Sequence, residues 1–161
     1  MKIANQRILV CREDPWSPDA LQLLDELSES LEAITGSTGR ASFSPEDIDD
    51  PRAVFAVARD GSGTALGCGA IRPLDERTAE VKRMYARVKG RSVGSLLLAF
   101  LEDRARELGF AALRLETRKV NETAVAFYLA RGYRVIENYG RYAGRDEAVC
   151  FEKVLLAKSP L

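Results

Sequence analysis

Residues 79–109, AEVKRMYARVKGRSVGSLLLAFLEDRARELG, decide how this chain folds. Val81, Met84, Tyr85 and Ala86 give a largely apolar strand end. A long helix is predicted after it, because Val93, Leu96, Leu97, Phe100, Leu101, Ala105 and Leu108 recur at the i, i+3, i+4, i+7 spacing of one buried face. Between strand and helix lies Lys89-Gly90-Arg91-Ser92-Val93-Gly94. A glycine-bearing loop that opens a helix presents free backbone N–H groups at the positive end of the helix dipole, which suits an anion and phosphate above all. Lys82, Arg83, Arg87, Lys89 and Arg91 crowd into ten positions around it. The stretch predicts a strand, a cationic loop holding a phosphate-bearing cofactor, and an amphipathic helix.

Upstream, QRILVC (6–11) reads as a first strand. Ser17-Pro18 is an N-cap followed by proline at the first helical position. The helix it starts carries Leu21, Leu24, Leu27, Leu31 and Ile34 on one face and ends near Gly36. After a small-polar link, Ser44-Pro45 repeats the cap signal for a short helix through Ile48. Residues 54–59 form a strand, Asp60-Gly61-Ser62-Gly63 a hairpin turn, and 64–73 its partner. That partner is rich in glycine, which suits close approach by another segment or a ligand. Residues 78–86 are the next strand and lead into the central loop. Downstream, ALRLET (112–117) is a strand, and a helix runs from Asn121 to Arg131 and stops at Gly132. Strands at 133–136 and 148–155 flank a polar loop, 137–147. The order β-α-α-β-β-β-α-β-α-β-β is that of a mixed α/β single domain, without internal repeat or linker.

Composition narrows the function. The chain has 161 residues, room for one domain with a substantial core. Its 24 basic and 24 acidic residues cancel, which argues against a broad nucleic-acid surface or an anionic-membrane surface. Cys11, Cys68 and Cys150 lie far apart without C-x-x-C spacing, so neither a zinc site nor a disulfide framework is expected. Reduced, mostly buried thiols suit a cytoplasmic protein. No signal-peptide pattern opens the chain, and no apolar run approaches the ~18 residues of a spanning helix. Histidine is absent, which removes the commonest general base and any Ser-His-Asp triad. Gly90-Arg91-Ser92-Val93-Gly94 does fit the G-x-S-x-G elbow of serine hydrolases, but Ser92 would have no histidine to activate it. No G-x-x-x-x-G-K-[ST] phosphate loop exists.

Two blocks then carry a family resemblance across nearly the whole chain. Lys89-Gly90-Arg91-Ser92-Val93-Gly94 resembles the R-G-x-G-x-G pyrophosphate loop of the GNAT superfamily of acetyl-CoA-dependent N-acetyltransferases. It departs in its leading lysine, in Ser92 at the middle glycine, and in being about two residues shorter from Ala86. Asn121-Glu-Thr-Ala-Val-Ala-Phe-Tyr128-Leu-Ala-Arg-Gly132-Tyr133 resembles N-x-x-A-x-x-x-Y-x-x-x-G-F/Y, with Leu115-Glu116-Thr117 ahead of it. The resemblance implies an α/β (mixed α+β) fold: a central, mostly antiparallel twisted sheet of about six to seven strands flanked by about four helices. It implies one GNAT domain over residues 1–161. Ser92 fits the loop if its φ stays below zero, since positive φ strains a non-glycine side chain.

The resemblance also implies roles. The backbone of Met84, Tyr85 and Ala86 would pair with the pantetheine arm, one of those amides facing the thioester oxygen. Lys89, Gly90, Arg91, Ser92, Val93, Gly94 and Ser95 would hold the pyrophosphate, and Asn121 the pantetheine amide region. Tyr128 would protonate the departing thiolate; a phenol near pKa 10 facing a thiol near 8.5 needs little tuning. Glu116 is the first candidate for general base, with Glu80 and Glu147 behind it. Tyr139, Arg141 and Tyr142 are candidates for an acceptor pocket. Each residue also has a plainer role: Asn121 as helix cap, Tyr128 in an apolar stripe with Val125 and Leu129, Glu116 as an exposed strand carboxylate, and the three loop residues as packing. The implied activity is acetyl transfer from acetyl-CoA to a primary amine on a small molecule, without a metal. A non-catalytic acyl-CoA-binding domain, or an enzyme acting on a protein N-terminus or lysine, are the alternatives. A homodimer is compatible with the resemblance.

Overall fold

A seven-stranded sheet runs in the order β1-β2-β3-β4-β5-β7-β6 through the computed structural model, which describes residues 7–40 and 45–156. The strands are β1 (Leu9–Arg12), β2 (Val54–Arg59), β3 (Ala65–Pro73), β4 (Thr78–Ala86), β5 (Ala112–Arg118), β6 (Arg134–Ile136) and β7 (Ala148–Val154). The helices are α1 (Pro18–Thr35), α2 (Val93–Glu107) and α3 (Glu122–Ala130). Gln6 of the expected first strand and Ser44 of the expected second cap lie outside the described residues. Among the described residues three α-helices stand where about four were expected, because Pro45–Ile48 closes as a single 3-10 turn. A second such turn, Gly140–Tyr142, interrupts the loop between β6 and β7.

Local chemistry sets the helix ends. The Ser17 hydroxyl accepts from the Ala20 N–H at 3.2 Å, Pro18 opens α1, and Gly36 ends it at φ 81°, its N–H bonded to the Glu32 carbonyl. In the turn after β2, the Asp60 carboxylate accepts from the N–H groups of Ser62 and Thr64.

β2 shows the layering. Val54, Ala56 and Ala58 face the core built with α2 and α3, whereas Phe55 and Val57 face α1. The strand is apolar on both sides because helices cover both. The buried helix faces differ from those expected. On α2, Leu98 and Glu102 are buried with Val93, Leu97, Leu101 and Ala105, while Leu96 is 40% exposed. On α1, Ala20 and Leu23 are buried with Leu27, and Leu21 and Ile34 point outward. Leucines surround both helices, so spacing alone admits more than one apolar stripe.

Two irregularities in β4 shape everything downstream. Cys68 stands opposite Tyr85 and Ala70 opposite Lys82, so Gly69 alone faces Arg83 and Met84. This is a β-bulge, with Arg83 in the left-handed region at φ 58°. β4 also pairs with β5 over only three residues, Thr78 to Glu80 against Ala112 to Arg114, in the one parallel junction of the sheet. Past them the strands part. The glycines of β3 serve this corner: a Cβ on Gly69 would meet the Met84 sulfur at 2.4 Å, and one on Gly67 would meet the Tyr85 carbonyl at 2.4 Å and Val93 at 2.8 Å. The close approach expected from their sequence is made by the chain's own β4 and α2.

Candidate active site

The parting of β4 and β5 opens a cleft of about 290 Å³. Residues 81–84 of β4 and 115–118 of β5 form its sides, Leu27 and Leu31 of α1 one end, and Ala124 and Tyr128 of α3 another. The loop after β6 adds Arg141, Tyr142 and Arg145. Glu116 at the end of β5, Asn121 at the cap of α3 and Tyr128 on α3 therefore reach one cavity.

Tyr128 is 7% exposed and stacked edge-on against Phe127 and Tyr133, with centroids 5.0 and 5.6 Å away. No hydrogen bond to its hydroxyl is present among the described residues. Burial pushes its pKa above that of an ordinary phenol, so it stays protonated across the physiological range. The expectation of little tuning needs revising: the phenol has moved away from a solvated thiol, and matching is restored only if the thiol is desolvated with it.

Glu116 has a side chain 12% exposed and a buried oxygen, Oε1, that accepts no hydrogen bond among the described residues. Burial raises its pKa, against the pull of Arg118, whose Nε lies 3.7 Å away, and of Lys82. A carboxylate short of partners is a stronger base than one in water. Glu80 differs: it is 1% exposed, takes two hydrogen bonds from Arg72 at 3.0 and 3.1 Å, and accepts from the Tyr139 hydroxyl. Glu147 lies outside the cleft, paired with Arg118 at 3.0 Å. Tyr139 packs against Tyr142 and Glu80 outside the cavity, whereas Arg141 and Tyr142 line it.

Asn121 caps α3, its side-chain oxygen accepting from the Ala124 N–H at 3.3 Å, and lines the cleft as well. Met84 lines the cleft, Tyr85 turns to Glu26 on α1 at 3.0 Å, and no described strand pairs with the outer edge of residues 81–86. At the mouth of α2, Ser92 takes φ 60° and ψ 25°, so the condition for a serine to fit the loop without strain is not met. Gly90 is left-handed too. The loop thus keeps a shape that glycine favours, with the strain placed on serine. Ser92 makes no side-chain cap, and the first ladder bond runs from the Leu96 N–H to the Ser92 carbonyl. The N–H groups of Val93, Gly94 and Ser95 stand outside the ladder, an arrangement that fits a diphosphate.

The cationic run proves to be dispersed. Arg87 pairs with Glu26 through two hydrogen bonds of 2.9 Å, and Lys82 and Arg83 turn into the cleft. Lys89 and Arg91 alone of the five stay exposed at the α2 entrance. Arg131, read from sequence only as a helix end, donates to Ser95 from Nε at 2.9 Å and so brings a guanidinium to the first turn of α2. Arg118 and Arg145 on the cleft wall were also missed, since nothing local marks a surface arginine as turned toward a site.

The profile of the acetyltransferase (GNAT) family matches residues 20–133. The chain belongs to this family. Among its relatives, the "IAA acetyltransferase" of Azospirillum brasilense is 32% identical over 151 residues, covering 92% of this chain and 98% of the relative. A solved structure of a candidate acyl-CoA N-acyltransferase from Klebsiella pneumoniae is 28% identical, with a TM-score of 0.78 over 92% of this chain and 98% of that one. The PaiA N-acetyltransferase of Thermoplasma acidophilum, solved in complex with coenzyme A, shares the fold at 18% identity and TM-score 0.67, over 92% of this chain and 99% of that one. The protein is a GNAT-type acyltransferase with the family's mixed α/β architecture. Among the described residues no helix is long and apolar enough to cross a membrane.

Proposed function

We propose that this GNAT domain, spanning residues 1–161, moves an acetyl group from acetyl-CoA to a primary amine on a small molecule in the cytoplasm. The observation that carries the reading is the meeting, in one cleft where β4 and β5 part, of a phenol and a carboxylate oxygen to which no hydrogen bond is made among the described residues.

On this reading the diphosphate lies on the N–H groups of Val93, Gly94 and Ser95, with Gly90 and Ser92 shaping the loop and Lys89 and Arg91 beside it. The pantetheine arm pairs along the open backbone edge of Met84, Tyr85 and Ala86, with Asn121 near its amides, and a β4 amide polarises the thioester carbonyl. Glu116 takes a proton from the ammonium of the acceptor. The freed amine forms the new C–N bond as the C–S bond breaks; Tyr128 gives its proton to the departing sulfur, and the second proton shed by the new amide nitrogen restores the phenol. Transfer is direct, since Cys68 and Cys150 lie outside the cleft and burial pushes the Cys68 thiol up to about 12.

Thiol release from acetyl-CoA, measured against amines, amino acids and peptides, tests this reading. Tyr128→Phe is expected to lower kcat by roughly 10²-fold or more while leaving the thermal shift with coenzyme A intact. Unchanged turnover removes Tyr128 as the acid. Coenzyme A binding without thiol release from any amine points to the non-catalytic reading instead.

A further inference from the structure

Among the described residues, three groups lining the cleft keep a hydrogen-bonding capacity that nothing fills: the Tyr128 hydroxyl, Glu116 Oε1 and the hydroxyl proton of Tyr142. The acyl-transfer reading employs the first two, one at the sulfur and the other at the amine. It leaves Tyr142 without a task.

Tyr142 is 6% exposed, and its phenol is held from several sides. Gly140–Tyr142 closes as a 3-10 turn, with the Tyr142 N–H bonded to the Tyr139 carbonyl at 2.9 Å. The Tyr139 ring meets the Tyr142 ring edge-on at 5.5 Å, and the Tyr139 hydroxyl donates in turn to the buried Glu80. The Lys82 ammonium donates to the Tyr142 oxygen at 3.0 Å. An ammonium has no lone pair to offer, so this bond leaves the phenol its own proton to donate, turned away from Lys82. No group among the described residues receives it. Burial raises the pKa of the phenol, and the charges of Glu80 and Glu116 act in the same direction, so the proton stays in place across the physiological range. A buried tyrosine ordinarily finds a partner for its hydroxyl. In the wall of a cavity, the partner left over is an atom of the ligand.

We propose that Tyr142 selects the acceptor: its hydroxyl donates a hydrogen bond to an oxygen carried near the amine, so that the substrate is an amino alcohol, amino amide or amino acid rather than a plain alkylamine. Glu116 receives such a molecule at its nitrogen and Tyr142 at its oxygen, which fixes its direction as well as its place. A site built to bond a substrate oxygen rejects the analogue lacking it far more sharply than an apolar pocket rejects a missing methylene, because the buried donor is then left without a partner. A cleft near the lower limit of ligand pockets keeps the molecule small. This inference rests on the acyl-transfer reading above.

The experiment offers acetyl-CoA with sets of primary amines matched in length: the alkylamine, the amino alcohol, the amino amide and the amino acid. Release of coenzyme A is followed for each. At least one oxygen-bearing amine is expected to exceed its matched alkylamine at least about tenfold in kcat/KM, and the member of the set that does so identifies the kind of oxygen. Tyr142→Phe, which keeps the ring and removes only the hydroxyl, is expected to draw that ratio toward one. Alkylamines used as well as their oxygen-bearing partners overturn the proposal. So does a ratio that survives in Tyr142→Phe, since a purely structural phenol would slow every amine alike. Should the variant fail to fold, the matched amines on the unaltered protein decide. If no amine releases thiol, the acyl-transfer reading fails, and calorimetric titration of the coenzyme A-saturated protein with the same amines decides the inference alone. Binding of an oxygen-bearing amine but not its alkylamine upholds it; equal binding or none overturns it.

Discussion

Ser92 carries a strain that its family's glycine would not. A serine at φ 60° costs about 1 kcal/mol, and its hydroxyl offers no cap in return. Ser92→Gly is expected to raise the melting temperature by roughly 2–4 °C, with coenzyme A affinity equal or better, measured by thermal shift with and without ligand. A fall in both would show that the hydroxyl does work the structure does not reveal. Glu116 is predicted to trade in the opposite direction. Its folded pKa lies above the ordinary 4.5, so the stability it contributes is full below that value and is lost as pH rises through the folded pKa. At neutral pH the ionised group is a burden. Glu116→Gln should therefore raise the melting temperature at pH 7 by about 1–3 °C and narrow that gain below pH 4. It should also cut turnover, most at low pH, where the amine most needs deprotonation. Unchanged rates at every pH would remove Glu116 as the base.

At the scale of elements, β3 and α2 depend on glycine at their contact. A methyl on Gly67 collides with the backbone carbonyl of Tyr85, which cannot turn aside as a side chain can. Gly67→Ala is expected to cost about 1–3 kcal/mol by denaturant unfolding; an unchanged midpoint would mean that β4 shifts freely there. Nearly every element was legible in the sequence, because caps, glycine stops and turn residues act within a few positions. The Ser17-Pro18 start, the Asp60 turn and the Asn121 cap all stand where their chemistry put them. What stayed hidden was which way things face. Leu96 and Leu98 are equally apolar, and only packing against the sheet decides that Leu98 goes in. The bulge at Arg83 was equally unreadable, since a left-handed arginine has no local signal. That bulge helps direct Lys82 and Arg83 into the cleft rather than along the phosphate loop.

The whole molecule settles what neither residue nor element could. Arg87 looked like one more phosphate ligand until the fold set it against Glu26, 61 positions away, in a pair that holds the Glu26 carboxyl below its usual range. Glu116 and Tyr128, on the consecutive elements β5 and α3, meet Lys82, Arg83 and Met84 of β4 in one cavity through the strand order. The same order leaves a seam. Half-sheets β1–β4 and β5–β7–β6 are sewn together by three rungs, and the remaining length of both strands gapes. A donor arm lying along that gap would act as the missing suture, so the acetyl donor would brace the enzyme as well as feed it. Amide exchange at Thr78, Ala79 and Glu80 should slow when coenzyme A is saturating, and by mass action a hundredfold excess over Kd adds about 2.7 kcal/mol to global stability. Starved of donor, the protein would be at its most fragile along this line, and proteolysis during depletion would be expected to start by prising the halves apart.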